Sequence, residues 1–376
     1  MKVTYCILGT FNSGGMERVL TNKANYLVNK GYEVNVVTTD QKGRKPFYAL
    51  DPRIKTYDLG INYTDDLDRG ILKRGAIYLK KQHLHQKKLA ELLHTLKSDI
   101  TISMFDNDAS FITKINDGSK KVLEIHFSRF KRLQYGRSGL LGFIDKFRNK
   151  QDLRTVARFA KFVVLTHEDK GYWGDLPNIQ VIPNANSFKR MGRAPLENKR
   201  VIAIGRLDYQ KRFEDLIEAW VKVKETAPEW VLDIFGKGPL KTTLEEQIAQ
   251  LNLTDVVRIN EPVNNIQEEY LGSAMLALTS RYEGLPMALL EAQSCGLPMV
   301  TYACKCGPKD IIKNGENGFL VPEGDIGRIA DNLLTLIADP ELRSEMGGNA
   351  YLSSARYDEE AIMEQWESMF SDITKI

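Results

Sequence analysis

The sequence predicts an α/β fold built as two Rossmann-like, doubly wound parallel-sheet domains facing a central cleft. Three observations predict it. Short apolar runs alternate with helix-forming stretches, the pattern of strands buried on both faces and joined by crossover helices. The alternation breaks over a polar stretch after about residue 182 and restarts at Arg200. At 376 residues the chain is also longer than one ordinary domain.

In the first half, Val3–Leu8 reads as a buried strand ending at Gly9. A loop carrying Gly14 and Gly15 leads into a helix from Met16 to about Asn29, closed by Gly31. Glu33–Thr39 is the next strand, which completes a βαβ unit. The loop is not G-x-G-x-x-G, so the dinucleotide fingerprint is missing. Gly14 and Gly15 read either as a tight turn or as a place where backbone approaches a ligand. Leu67–Leu96 is a long basic helical region before the strand Ile100–Met104. The strand Lys121–Ile125 is followed directly by His126, which reads as an ordinary loop histidine or as an acid, base or hydrogen-bond donor. Phe162–Leu165 and Ile179–Ile182 are further strands, and residues 185–199 are the best linker.

The second half repeats the plan. Arg200–Ile204 is a strand and Gln210–Thr226 a helix, so that Lys211 begins a helix. Trp230–Phe235 is a strand, Gly236–Pro239 a tight loop, Leu240–Leu251 a helix and Val256–Ile259 a strand. Ala274–Leu278, Pro298–Thr301 and Gly318–Val321 complete the sheet, and helices follow. The last helix, Glu359–Phe370, carries a buried stripe of Ile362, Trp366, Met369 and Phe370.

Composition limits the function classes. Hydrophobic residues at 43% and charged residues at 27% describe a globular protein, not a disordered one. No apolar run approaches a membrane span, and Met1–Leu8 lacks a signal-peptide pattern, so a cytoplasmic location is expected. Cys6, Cys295, Cys304 and Cys306 read as unpaired thiols. No histidine or cysteine spacing supports a metal site, and no cofactor is expected. Net charge is +3, but Arg129–Lys161 holds ten Lys/Arg against two acids, interleaved with Phe130, Leu133 and other apolar residues. This segment, with Arg129, Lys131, Arg132 and Arg137 at its start, reads either as a surface helix or as a face for an anionic membrane. Nucleic acid or a phosphorylated substrate is also compatible with the charge alone.

The chemistry gathers in two stretches of the second half. Gly205-Arg206-Leu207-Asp208 follows a strand, with Lys211 close behind. Arg206 and Lys211 there either neutralise a diphosphate as it leaves or are two surface cations near a helix start. Arg281–Glu291, R-Y-E-G-L-P-M-A-L-L-E, opens a helix. Pro286 suits a first helical turn, and the amides of Gly284, Leu285 and Met287 face an anion. Glu283 and Glu291 flank that end. They suit sugar hydroxyls, or merely complement the helix dipole.

These motifs together resemble GT-B-fold retaining glycosyltransferases of family 4, the glycosyl transferases group 1. The resemblance rests on Gly14-Gly15-x-Glu17-Arg18, Val181–Asn184, Gly205-Arg206-Leu207 with Lys211, and Gly236-x-Gly238-Pro239. It also rests on Glu283 and Glu291 at E-x7-E spacing, then Gly296-x-Pro298 and Gly315-x-x-Gly318. The stretch Arg258–Glu261 departs from the family's aromatic-x-glycine. The resemblance implies an N-terminal acceptor-binding domain over 1–186, with the last helix, about 358–376, packing back on it. It implies a nucleotide-sugar domain over 200–357. By the same resemblance Glu291 binds the donor ribose, Glu283 the transferred sugar, and Arg206 and Lys211 the diphosphate. Gly15 brings backbone to the phosphate, and His126 lies near the reacting sugar. The implied activity is metal-independent, retaining transfer of a hexose-type sugar from a nucleoside-diphosphate sugar, taken as UDP, to a glycan or lipid-linked acceptor in cell-surface polysaccharide assembly. A nucleotide-sugar epimerase on the same fold and a non-catalytic nucleotide- or glycan-binding partner are the alternatives.

Overall fold

The computed structural model describes residues 1–66, 71–129, 150–263 and 265–375. Lys131, Arg132, Arg137 and most of the basic segment lie outside the described residues. The chain divides into two compact units. The first comprises Met1–Leu165, Lys170–Ile182 and the chain from Met363 on; the second comprises Thr166–Asp169 and Pro183–Ile362.

The first unit holds a sheet of β1 (Lys2–Ile7), β2 (Glu33–Thr38), β3 (Lys55–Asp58), β4 (Ile100–Ser103), β5 (Lys120–Glu124), β6 (Lys161–Val164) and β7 (Ile179–Val181). Their order is β3-β2-β1-β4-β5-β6-β7, and every pairing is parallel. The order reverses between β1 and β4, which makes the gap beyond their C-terminal ends the ligand crevice of this topology. The edge strand β3, K-T-Y-D, has no apolar run to betray it in the sequence. The central strands are buried on both faces. Their polar members pair with each other, as where Asn35 Nδ2 of β2 donates to Thr4 Oγ1 of β1 at 3.3 Å.

The second unit holds β8 (Arg200–Ile204), β9 (Val231–Phe235), β10 (Val257–Asn260), β11 (Met275–Leu278), β12 (Met299–Tyr302) and β13 (Gly318–Val321). Their order is β10-β9-β8-β11-β12-β13, again all parallel, with the reversal between β8 and β11. Its core gathers Trp220, Phe213 and Leu216 from the helix Phe213–Thr226 with Ile329 and Leu333 from the helix Ile326–Ala338.

Two boundaries around the candidate site differ from the sequence reading. The long basic helix is described over Ile71–Leu96, and residues 67–70 of that reading lie outside the described residues. The helix after β8 starts at Phe213, so Lys211 sits in the preceding turn. Arg212 causes this: its φ of 53° is left-handed and cannot continue a helix backwards. Its guanidinium pairs with Asp215 at 2.8 Å and its carbonyl accepts from Thr279 Oγ1 at 2.9 Å, which hold that conformation. Pro286 caps the helix Met287–Ser294 from outside, with extended ψ of 102°.

Candidate active site

In the second unit Lys211 and Glu283 meet at the β8–β11 reversal. Gly205 follows β8, and a Cβ there would lie 2.9–3.0 Å from the aliphatic carbons of Lys211. The missing side chain is what lets Lys211 lie across the strand end. Two further glycines let the loops after β8 and β9 touch. A Cβ on Gly236 would stand 1.9 Å from Gly205 O, and one on Gly238 would stand 2.3 Å from Leu207 O. Backbone bonds zip the loops together: Gly205 N donates to Phe235 O at 3.0 Å, and Leu207 N to Lys237 O at 3.0 Å. The G-x-G-P motif is therefore a close-packing device that builds the floor under Lys211.

Lys211 Nζ donates to Glu283 Oε1 at 2.7 Å, and both side chains are largely buried. The loop bearing Glu283 is fastened on both sides. Arg281 N donates to Gln210 O at 2.9 Å, and Gln210 Nε2 to Tyr282 O at 2.9 Å. Glu283 N donates to Lys305 O at 3.1 Å. Sequence reasoning gave Lys211 and Glu283 separate duties; the structure brings them together as an ion pair. Arg206 is placed differently. Its side chain is 69% exposed and pairs with Asp208 at 2.5 Å.

Gly284 and Leu285 form the bend ahead of the helix, and Leu289 N donates to Pro286 O at 3.0 Å. The amides before it point out along the axis. Gly307, with φ of 101°, packs beneath: a Cβ there would reach Pro286 Cδ at 2.3 Å. Glu291 is 5% exposed and accepts from Tyr270 Oη at 2.9 Å. Sequence reasoning missed Tyr270 and Gly307. Nothing in one sequence ties Tyr270, on a separate short helix, to Glu291.

In the first unit, Gly14 and Gly15 have different reasons to be glycine. Gly14 is extended, with φ of −73°, so no tight turn requires it. A Cβ on it would strike the Glu17 carboxylate at 2.3 Å, whereas one on Gly15 would meet nothing within 4 Å. Gly14 makes room for Glu17, and Gly15 leaves the start of the helix Gly15–Asn29 bare. Burial raises the carboxyl pKa of Glu17, against hydrogen bonds from its own amide and Asn12 and the nearby His126.

His126, just past β5, lies with Nε2 3.1 Å from Glu124 Oε1. The other oxygen of Glu124 accepts from Lys23 Nζ. Both partners are buried, with side-chain exposure of 6% for Lys23 and 1% for Glu124. Burial opposes ionisation of Glu124, but Lys23 and His126 outweigh it and hold its pKa at about 2. Burial lowers the pKa of Lys23, and Glu124 opposes that shift. Lys23 Nζ also lies 3.8 Å from the ring centroid of Trp366. The sequence reading named His126 alone; Lys23 and Glu124 looked like an ordinary helix lysine and strand acid.

Arg129 lies over the Trp173 ring at 5.3 Å, and residues 150–156 are helical. All four cysteines are buried free thiols. No helix among the described residues is long and apolar enough to cross a membrane.

The sequence model of the glycosyl transferases group 1 matches residues 185–353, which include Lys211, Glu283 and Glu291. An uncharacterized glycosyltransferase of Haemophilus influenzae is 30% identical over 377 residues, covering 98% of this chain and 99% of the relative. The chain belongs to the group 1 glycosyltransferases. Among other relatives of this glycosyltransferase, the amylovoran biosynthesis glycosyltransferase AmsD of Erwinia amylovora is 29% identical, over 98% of this chain and 99% of the relative. An α-1,4-N-acetyl-D-galactosaminyltransferase of Campylobacter jejuni, named for a diNAcBac-PP-undecaprenol-linked acceptor, is 28% identical over 99% of each chain. The fold is that of TarM, a GT-B protein, with a TM-score of 0.81 at 19% identity over 98% of each chain. A TarM mutant in complex with Fondaparinux, alpha-GlcNAc-glycerol and UDP gives a TM-score of 0.77 at 18% identity, over 98% of this chain and 99% of that one.

Proposed function

We propose that this glycosyltransferase moves a hexose-type sugar from a UDP-sugar to a glycan or lipid-linked acceptor in cell-surface polysaccharide assembly, with retention and without a metal. The observation that carries the reading is the buried Lys211–Glu283 pair at the β8–β11 reversal, in one unit with Glu291 and the bare amides of Gly284, Leu285 and Met287. The amide end of the helix suits phosphate, and the carboxylates suit hydroxyls. Glu291, oriented by Tyr270, takes the ribose. Lys211 serves the diphosphate and Glu283 the sugar, each facing the other at 2.7 Å. Arg206 adds a second, mobile cation for the departing nucleotide. Gly15 and His126, in the first unit, take the phosphate and the reacting sugar.

For transfer with retention the acceptor hydroxyl approaches from the leaving-group side. It attacks the anomeric carbon as the bond to the diphosphate oxygen breaks, and a donor phosphate oxygen takes its proton. Lys211, Arg206 and the helix end stabilise the charge that grows on the nucleoside diphosphate. Neither Glu283 nor Glu291 is a covalent nucleophile or general base in this scheme. The acceptor is assigned to the first unit, and the names of AmsD and the Campylobacter jejuni relative support a polysaccharide or lipid-linked one. Arg129 and the basic segment after it, including Lys131, Arg132 and Arg137, would meet an anionic membrane on its cytoplasmic face.

A thermal-shift panel of nucleotide sugars tests the donor. UDP-sugars are expected to raise the unfolding temperature, and GDP- or ADP-sugars to leave it unchanged. Product anomer analysis tests retention, and turnover undiminished by EDTA tests metal independence. Failure of anionic liposomes to sediment the protein at low salt would remove the membrane contact.

A further inference from the structure

We propose that Glu124 and Lys23 are positioning residues for His126, with Glu124 holding the imidazole proton on Nε2 so that Nδ1 is the nitrogen offered to a bound sugar. The inference rests on the reading of His126 as a sugar-contacting residue. His126 Nε2 is shielded from solvent, and Glu124 Oε1 lies 3.1 Å from it. That approach is an ion-pair contact off the direction of an aligned hydrogen bond. Its sign still decides the tautomer. An N–H facing a carboxylate at that distance is attracted, whereas a bare lone pair is repelled.

The carboxylate is not at liberty to turn away. One oxygen faces His126 and the other is held by Lys23. The Lys23 ammonium is in turn fixed on the face of Trp366 at 3.8 Å and near the Tyr5 ring at 5.6 Å. Lys23 and Glu124 offset each other's charge beneath the imidazole. Glu17, on the same helix as Lys23, is the other acid whose field reaches the imidazole.

The test uses full-length protein labelled with 15N at histidine. The His126 resonance is assigned by its loss in His126→Asn. The wild type is expected to show the Nε2–H tautomer alone. The uncharged pair Lys23→Met/Glu124→Leu avoids stranding a buried charge, and is expected to fold and to show a mixture of tautomers. Its release of UDP from UDP-glucose, UDP-galactose or UDP-N-acetylglucosamine, whichever the wild type turns over, should fall about tenfold or more in kcat, with KM little changed. Lys23→Arg should keep both the tautomer and the turnover. Should the double variant not fold, a second uncharged pair, Lys23→Leu/Glu124→Met, provides the same reading. An unshifted Nε2–H signature in a folded variant overturns the proposal. A shifted tautomer with undiminished turnover leaves the positioning intact and instead overturns the reading of His126 as a sugar-contacting residue.

Discussion

The two units carry charge in opposite ways. In the second, Lys211 and Glu283 meet at the lip of the sheet, on loops fastened to one another by backbone bonds. In the first, Lys23 and Glu124 meet beneath the site, buried against Trp366, and reach it only through His126. A pair at the lip can exchange partners with a ligand. A pair under the floor can only set the orientation and charge of the residue above it.

Breaking each pair should therefore damage different quantities. The largest effect is expected in stability, from Glu124→Ala. It strands a buried lysine and should cost about 3–5 kcal/mol, read by urea unfolding. Lys211→Ala should instead cost about 10²–10³ in turnover with cooperative unfolding retained. Near-normal transfer by that variant would remove Lys211 from the diphosphate site. The contrast sharpens with pH. Burial, reinforced by Asp106, raises the Asp108 carboxyl in the first unit from 3.8 to about 7. A folded pKa above the unfolded one means that the contribution of this group to stability is greatest below about pH 4 and falls as pH rises to about 7. Asp108→Asn should remove that slope, which is worth on the order of 2–4 kcal/mol, in unfolding measured from pH 4 to 8. The last comparison separates two glycines, the second with the smallest effect. Gly236→Ala meets Gly205 O and should lose about 3 kcal/mol. Gly15→Ala meets open space, so it should gain about 0.5–1 kcal/mol while weakening donor binding in the thermal-shift assay.

How much was legible in advance follows the same division. The fold was readable because parallel strands buried on both faces leave unmistakable apolar runs, as in β11, M-L-A-L. β3 was not, because a half-exposed edge strand has no such run. The placement of Lys211 and Glu283 beyond strand ends, and of Glu291 in the helix that follows, was readable because that part of the chain carries short, ordered motifs. Lys23, Glu124 and Tyr270 were not. Each gains its meaning from a partner far along the chain, 101 residues away for Lys23 and Glu124. The start of the helix after β8 was misplaced because the left-handed turn at Arg212 depends on Thr279, a contact between distant segments.

The segment that carries Trp366 belongs to the first unit although it follows the whole of the second unit in the sequence. On a ribosome the first unit would thus wait, with Lys23 and Glu124 lacking their aromatic cover, until all of the second unit had been synthesised. The second unit, whose main segment Pro183–Ile362 is continuous, has no such delay once its own residues have emerged. The order of completion along the nascent chain is therefore the reverse of the order of the sheets in the sequence, and a stop codon shortly before Trp366 should be felt most by the opposite end of the polypeptide.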